Sequence, residues 1–451
     1  MKKFCALALI TIIAFSCSKD DNDPTMETMS KEEEKEQEVE NDSIVYFSVK
    51  IEDNVYTSTQ LVNYIILNDD DGNLIDYRPL RNGNNLVFKT KKEEAPTTFS
   101  VSLSYYNNNS QYENIGGIST YFNVKSGSTW LFEENENDTY QETGTYSIQI
   151  NNTVDIESYE LRDFKTITSG EGYSNDSVIM IPYVRNYLNQ FHFVSLTSAL
   201  ENKYYKFVSN PEQKNNLVLN FNDFKEYELS DLISIPQGYL DYSVGVEVLK
   251  DKTFFQTDQV NSLDLDTLGS TIKLLTVSNM EKYRLYFIEY KDNFTYYYDN
   301  YTKDYLSATI PDINSINLQI SNNSIDNFKY NTNINYDRIR SQWRHTDTIK
   351  NLVSETSVWY FHANNDGFKV KPNLPKEVID AIPNYKLENL KYYQTRLTRG
   401  GPTYEEIIYS NLKTDWSSYI GEVENIYFRY NTNKNKSRKV ESEEATSVLK
   451  H

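Results

Sequence analysis

Residues 44–51 read Ile-Val-Tyr-Phe-Ser-Val-Lys-Ile. Val45, Phe47, Val49 and Ile51 alternate with Tyr46, Ser48 and Lys50, the period of two that belongs to a strand with one buried face. The pattern recurs downstream. Leu61 to Leu67 is apolar and β-branched, Asp69-Asp70-Asp71-Gly72-Asn73 supplies a turn, Leu74 to Tyr77 resumes, and Asn82-Gly83-Asn84-Asn85 turns again before Leu86-Val87-Phe88. Phe99, Val101 and Leu103 alternate in the same way, and Trp130, Tyr146, Ile148 and Ile150 carry the class to about residue 150. Short strands at this spacing, with no long helical periodicity between them, predict an all-β chain of tandem β-sandwich (Ig-like) domains.

A second sandwich is expected from Val154, with strands at Val178 to Ile181, Phe191 to Leu196 and Tyr204 to Val208. Asn215-Asn216-Leu217-Val218-Leu219 is similar to Asn84-Asn85-Leu86-Val87-Phe88, a short match that leaves a degenerate tandem repeat and coincidence both open. The last region is β-rich but less regular. Tyr283 to Tyr290, Leu318 with Ile320, and Val358 to Phe361 read as strands, and Pro375 to Ala381 as one short helix, since Pro375 suits a first turn and Glu377 the positive end of the dipole. Leu387 to Leu397 and Tyr404 to Tyr409 flank Arg399-Gly400-Gly401-Pro402 as the arms of a hairpin. The expected domains are therefore 44–152, 153–275 and 276–430, followed by a charged tail at 431–451.

The first 43 residues have a different character. Lys2 and Lys3 precede an apolar run from Phe4 to Phe15, too short for the roughly 20 residues that span a bilayer as a helix. Ala14 and Ser16 are small and stand directly before Cys17. This arrangement resembles the lipobox of bacterial lipoproteins, which implies a signal peptide at 1–16 and a diacylglycerol on Cys17 as the mature N-terminus. Ser18, Lys19, Asp20 and Asp21 resemble the Lys-Asp-Asp tract that follows the lipidated cysteine in surface-exposed lipoproteins of Bacteroidota, which implies an outer-membrane, cell-surface address. Acyl chains contribute about 0.8 kcal/mol per buried methylene, so several of them hold the anchor in place. The acidic stretch to residue 43, with Glu32-Glu33-Glu34, Glu36, Glu38 and Glu40, buries nothing and reads as a tether spanning on the order of 28 Å or more.

With Cys5 in the signal and Cys17 acylated, thiol nucleophiles, disulfides and cysteine metal sites drop out of the mature chain. The formal charge of −20 predicts repulsion from nucleic acid. His192, His345, His362 and His451 show no i+3 or i+4 partner, and Walker and Gly-x-Ser-x-Gly sequences are absent. Asp69 to Asn73 is similar to the middle of a calcium loop, but Leu67 and Arg78 occupy the positions where oxygen ligands are needed, so it reads as a turn. No metal, cofactor or catalytic residue is assigned. A glycosidase needs only two carboxylates, and 65 acidic residues hide such a pair.

The compositional excess is aromatic, with 38 tyrosines. Tyr296, Tyr297, Tyr298, Tyr301 and Tyr305 form the densest cluster, beside Asn293, Asp299, Asn300 and Asp304. Flat rings stack on pyranose faces while amides and carboxylates bond hydroxyls, so this cluster is the candidate glycan platform; its competing reading is tyrosines packed across neighbouring strands. Trp343-Arg344-His345 and Trp359 to His362 are secondary candidates, with buried anchors as the alternative. Two function classes follow: a non-enzymatic surface protein that binds a polysaccharide or protein, or partners an outer-membrane uptake complex, and a surface hydrolase acting on glycan or peptide.

Overall fold

The computed structural model describes residues 42–56, 63–108, 113–133, 142–163, 167–171, 177–187, 191–209, 216–230, 232–236, 239, 241–261, 271–292, 294–303, 308–348, 354–409, 416 and 418–429. Cys17, Ser18, Lys19, Asp20, Asp21 and Tyr305 lie outside the described residues, as do the tether and the tail.

The chain is all-β and built by repetition. The first unit comprises β1 (Ser43–Ile51), β2 (Tyr64–Asn68), β3 (Leu74–Pro79), β4 (Asn85–Lys91), β5 (Thr98–Asn107), β6 (Glu113–Lys125) and β7 (Ser128–Phe132). One sheet has the order β4-β1-β7, with β1 antiparallel to β4 and parallel to β7. The other runs β3-β2-β5-β6, all antiparallel. Phe47, Val49, Phe88 and Trp130 from one sheet meet Ile65, Leu67, Phe99 and Val101 from the other in one core. The alternation expected on β1 holds from Phe47 to Ile51 but breaks before it. A register shift between Val45 and Phe47 turns Val45 out, to 46% exposure, and buries Tyr46 beside Phe47.

The second unit repeats this plan with β8 (Glu142–Asn151), β9 (Ile156–Arg162), β10 (Ile167–Glu171), β11 (Val178–Tyr187), β12 (Phe191–Ser198), β13 (Lys203–Ser209) and β14 (Asn216–Asn220). Its sheets are β11-β8-β14 and β10-β9-β12-β13, with the same parallel and antiparallel senses, and its own core. Two short strands follow, β15 (Lys225–Glu226) on the edge of β13 and β16 (Glu228–Leu229). The third unit comprises β17 (Ile233–Ser234), β18 (Tyr242–Lys250), β19 (Thr253–Asn261), β20 (Thr271–Ile272), β21 (Leu275–Thr276, paired with β16), β22 (Lys282–Tyr290), β23 (Phe294–Thr302) and β24 (Ala308–Thr309). Again the orders are β20-β17-β24 and β19-β18-β22-β23. The fourth unit opens with the hairpin β25 (Leu318–Asn322) and β26 (Lys329–Thr332), then gives β27 (Arg338–Thr348), β28 (Ser354–Asn364), β29 (Lys391–Gly400) and β30 (Gly421–Arg429). Its order β28-β27-β29-β30 is the four-stranded half of the plan, and the hairpin and the chain from Phe368 to Leu390 pack over it.

Four units thus stand where the sequence predicts three domains. The expected boundary at 152 falls after β8, the opening strand of the second unit, and that at 275 falls inside the third. Four strands of the third unit, β17, β20, β21 and β24, are two residues long, too short to show a period. The pentapeptide likeness is not the repeat: Leu86 lies on the fourth strand of its unit and Leu217 on the seventh. The strand order also departs from the immunoglobulin plan, which puts the second and third strands in different sheets. Here they form a hydrogen-bonded hairpin within one sheet.

The four-stranded halves of units three, four and one join edge to edge in a twelve-stranded sheet, β19-β18-β22-β23-β30-β29-β27-β28-β6-β5-β2-β3. The β23–β30 junction is antiparallel and the β28–β6 junction parallel. Antiparallel joining keeps the covering layers of units three and four on one face, where Val244, Leu285 and Tyr296 share a core with Trp343, Trp359 and Phe361. Parallel joining turns the first unit over, so Tyr121 of β6 points to the opposite face, into the core of its own sandwich.

Candidate functional site

On β23 the run Phe294-Thr295-Tyr296-Tyr297-Tyr298 sends neighbouring side chains to opposite faces. Tyr296 and Tyr298 are 0% and 1% exposed, and their hydroxyls donate to Glu424 and Glu422 on β30, both at 2.9 Å. Burial, reinforced by those carboxylates, pushes both phenols far above their ordinary pKa. Tyr301, 4% exposed, is stacked on Trp416 at 5.5 Å. Tyr297, half-buried, shares the other face with Tyr301 but is turned edge-on to Tyr427 at 5.2 Å. The described members of the tyrosine cluster therefore offer no common platform for a sugar; they pack across strands. Trp343 and Trp359 are likewise core residues, their indole N–H groups donating to the Asn323 carbonyl and to Thr120 Oγ1, each at 2.9 Å.

The opposite face of the fourth unit is different. Ile339, Ser341 and Trp343 of β27 point into the core, which leaves Arg338, Arg340, Gln342 and Arg344 on the other side. Cross-strand register sets Arg340 directly opposite Arg396 of β29 on one flank and His362 of β28 on the other. Gln342 faces Gln394 and Tyr360, and Arg338 faces Thr398 and Asn364. The Arg340 guanidinium lies over Tyr360, 5.2 Å from the ring centroid, and that of Arg396 over Tyr427 at 5.8 Å. Gln394 Nε2 donates to Gln342 Oε1 at 2.9 Å. Tyr121, stacked on His362 at 4.5 Å, begins the wall formed by the first unit.

Like charges directly opposite on a sheet repel. Among the described residues, Arg338, Arg340 and Arg396 have no carboxylate within ion-pair distance, although nearby cations do. Arg344 pairs with Glu113 at 2.7 Å, and Arg284 is held between Asp299 and Glu247, both at 2.7 Å. Arg338 donates to the Gly400 carbonyl at 3.0 Å, and the Nε atoms of Arg338 and Arg396 are buried without a hydrogen-bond partner. Burial, with Arg396 adding repulsion, brings Arg338 down to about 10, and the same two causes lower Arg340. Burial and then the charges of Arg340 and Arg396 hold His362 well below the usual histidine range, so its ring is neutral at pH 7. This face is a preassembled set of guanidinium donors framed by phenol rings.

A separate cleft of about 190 Å³ is lined by Asp312, Ser315, Asn333, Asn335, Arg399 and Glu424. Glu424 is occupied there: it accepts from Tyr296 and is gripped by both Arg399 Nε, at 2.7 Å, and Arg399 Nη2. His345 Nε2 lies 2.9 Å from Asp347 Oδ1, and no group of three metal-ligating side chains occurs among the described residues. The alternation of Arg338, Arg340, Gln342 and Arg344 is visible in the sequence, though nothing local marks it as a site. The register of β27 on β29, which places Arg340 against Arg396, carries no local signal.

No family model matches this sequence, and no curated protein matches it. Among solved structures, a calcium-stabilised adhesin with which an Antarctic bacterium reaches out and binds ice aligns over 82% of this chain and 90% of its own, at 6% identity and a TM-score of 0.11. That likeness is too slight to carry fold or function across.

Proposed function

We propose that this chain is a lipid-anchored protein of the outer-membrane surface that captures a polymeric ligand without transforming it. The observation that carries the reading is the arginine–tyrosine face of the fourth unit, a partly buried face of a continuous sheet that supplies hydrogen-bond donors and ring faces. Anchoring through a lipid on Cys17 and display at the cell surface rest on the lipobox-like and Lys-Asp-Asp-like residues. A hydrolase has one feature in its favour, the cleft that Asp312 and Glu424 both line. There, however, Glu424 is spent on Tyr296 and Arg399, which favours capture.

The test is retardation of the unanchored Cys17→Ala chain in polysaccharide gels, with released sugar measured in the same samples. Retention without release supports capture. Release that disappears in Asp312→Asn would replace it with hydrolysis, and silence with every polymer would remove the capture reading.

A further inference from the structure

We propose that Arg338, Arg340 and Arg396 together form a site for the carboxylate or sulfate group of an acidic sugar, with Tyr360 and Tyr427 bordering the ring that bears it. The inference rests on the capture reading for the polymeric nature of the ligand, and on the arginines themselves for its charge.

The sheet brings three guanidiniums within one strand pair: Arg340 and Arg396 are register partners, and Arg338 is the next residue on the same face of β27. The carboxylates around them have other partners, and Asp337 attracts Arg338 electrostatically without pairing with it. Glu113 takes Arg344, Asp299 takes Arg284, and Asp337 Oδ2 accepts the Gly400 N–H at 2.7 Å. In a chain with 65 acidic and 45 basic residues, three adjacent arginines without a carboxylate are not what random surface charge produces. A guanidinium presents a planar fork of donors matched to carboxylate and sulfate oxygens, and two orphaned Nε atoms mark donors that the protein itself does not use. An anion there would relieve the repulsion across β27 and β29.

The borders favour a sugar. Tyr360 and Tyr427 flank the arginines on β28 and β30, where a pyranose whose acidic group points at Arg340 and Arg396 reaches their phenols. One side is walled by Tyr121 and the first unit, and the Gly400 end is rimmed by the connection carrying Tyr404 and Tyr419, whose hydroxyl accepts the Gly401 N–H at 3.1 Å. The cationic set spans a single strand pair and does not extend into a basic stripe of the kind that tracks a phosphate backbone. It suits a ligand with sparse anionic groups.

The full chain would be titrated calorimetrically with a uronate-containing oligosaccharide, a sulfated one and the neutral sugar of equal length. Inorganic sulfate and a single-stranded oligonucleotide would serve as further probes, all against wild type, Arg340→Gln and Arg396→Gln. Binding of an acidic sugar that weakens at least tenfold in either variant, with the neutral sugar bound far less tightly, is the expected result; whichever acidic probe binds tighter names the group. The variants should fold, because each removes a repelled charge: in low salt without ligand their melting temperature should equal or exceed the wild-type value, and added sulfate should raise the wild-type value more than theirs. Equal binding of acidic and neutral sugars, or acidic binding untouched by both substitutions, overturns the site while leaving capture standing. Preference for the oligonucleotide overturns the sugar assignment. If no polymer is retained yet sulfate still protects wild type alone, the capture reading falls and the anion site survives it as a small-anion site.

Discussion

Tyr286 lies across Gly245 on the neighbouring strand so closely that a Cβ there would meet the phenol at 2.3 Å. The same cross-strand pairing recurs between Tyr105 and Gly117, at 2.3 Å, and between Tyr159 and Gly170, at 2.4 Å. A ring laid over a glycine fills the gap its missing side chain leaves on the sheet, which accounts for part of the tyrosine excess without invoking a ligand. Gly245→Ala should therefore cost about 1–3 kcal/mol, the usual penalty of overpacking, read from a denaturant midpoint. The cost should shrink when Tyr286→Ala is combined with it. Histidine behaves at this scale too. His192 is buried with Nδ1 at 3.0 Å from the Tyr146 hydroxyl and Nε2 at 2.9 Å from the Arg185 carbonyl, and burial lowers its pKa. His362 is lowered further. The unfolded chain takes up protons at both near the ordinary value of about 6.5, whereas the folded chain refuses them until lower pH, so stability should fall as pH drops from 7 towards 5.5. Denaturant midpoints across that window should decline for wild type and flatten in His362→Gln. A midpoint independent of pH there would contradict the neutral state of both rings.

Among the elements, the segment Tyr404–Tyr409 is the plainest departure from the sequence reading: it is a helix, and the next strand to pair with β29 is β30. The apolar and aromatic residues that resemble a hairpin arm mislead because the helix is short. Its start was nevertheless written in the sequence. Thr403 and Glu406 make a capping box, Thr403 Oγ1 accepting the Glu406 N–H at 3.2 Å and Glu406 Oε2 accepting the Thr403 N–H at 2.7 Å. The helix places the Tyr404 hydroxyl on the carbonyls of Phe122 and His362, at 2.8 and 2.9 Å, so it clamps the junction of β6 and β28. Thr403→Ala should lower stability by about 0.5–2 kcal/mol, the usual worth of a cap, and speed amide exchange at the β6–β28 junction before other strands. By contrast, the helix at Lys376–Ala381 and the strand class of nearly every segment were legible, since a proline start and a period of two are local signals. The burial of Tyr296 and Tyr298 was not, because adjacent tyrosines on a strand look alike until it is known which face has a covering layer.

For the whole molecule, the repeat and the joining of its copies were beyond local pattern. Edge-to-edge pairing of β23 with β30 and of β28 with β6 links residues far apart in the chain, and only the finished sheet shows it. The consequence is mechanical. Units three, four and one share a continuous hydrogen-bonded sheet, and opening any of them breaks a ladder with a neighbour. The second unit has a separate core and no strand in that sheet. Its contact with the third centres on a patch of rings, Phe193 and Phe207 lying 6.0 and 5.6 Å from Phe255, with Tyr205 and Tyr227 beside them, and is edged by an Arg162–Gln256 hydrogen bond at 2.9 Å and a Lys203–Asp258 pair at 3.9 Å. Separate cooperative units open with separate free energies, so native-state hydrogen exchange should show the amides of β8 to β14 exchanging together through an opening cheaper than that of β27, β28 and β29. Phe255→Ala should lower the protection of the second unit and of β18 and β19 while leaving β27 to β29 unchanged. Uniform protection across all four units, lost together in that variant, would mean that the ring patch couples them as firmly as the sheet does, and that the chain folds as one cooperative body.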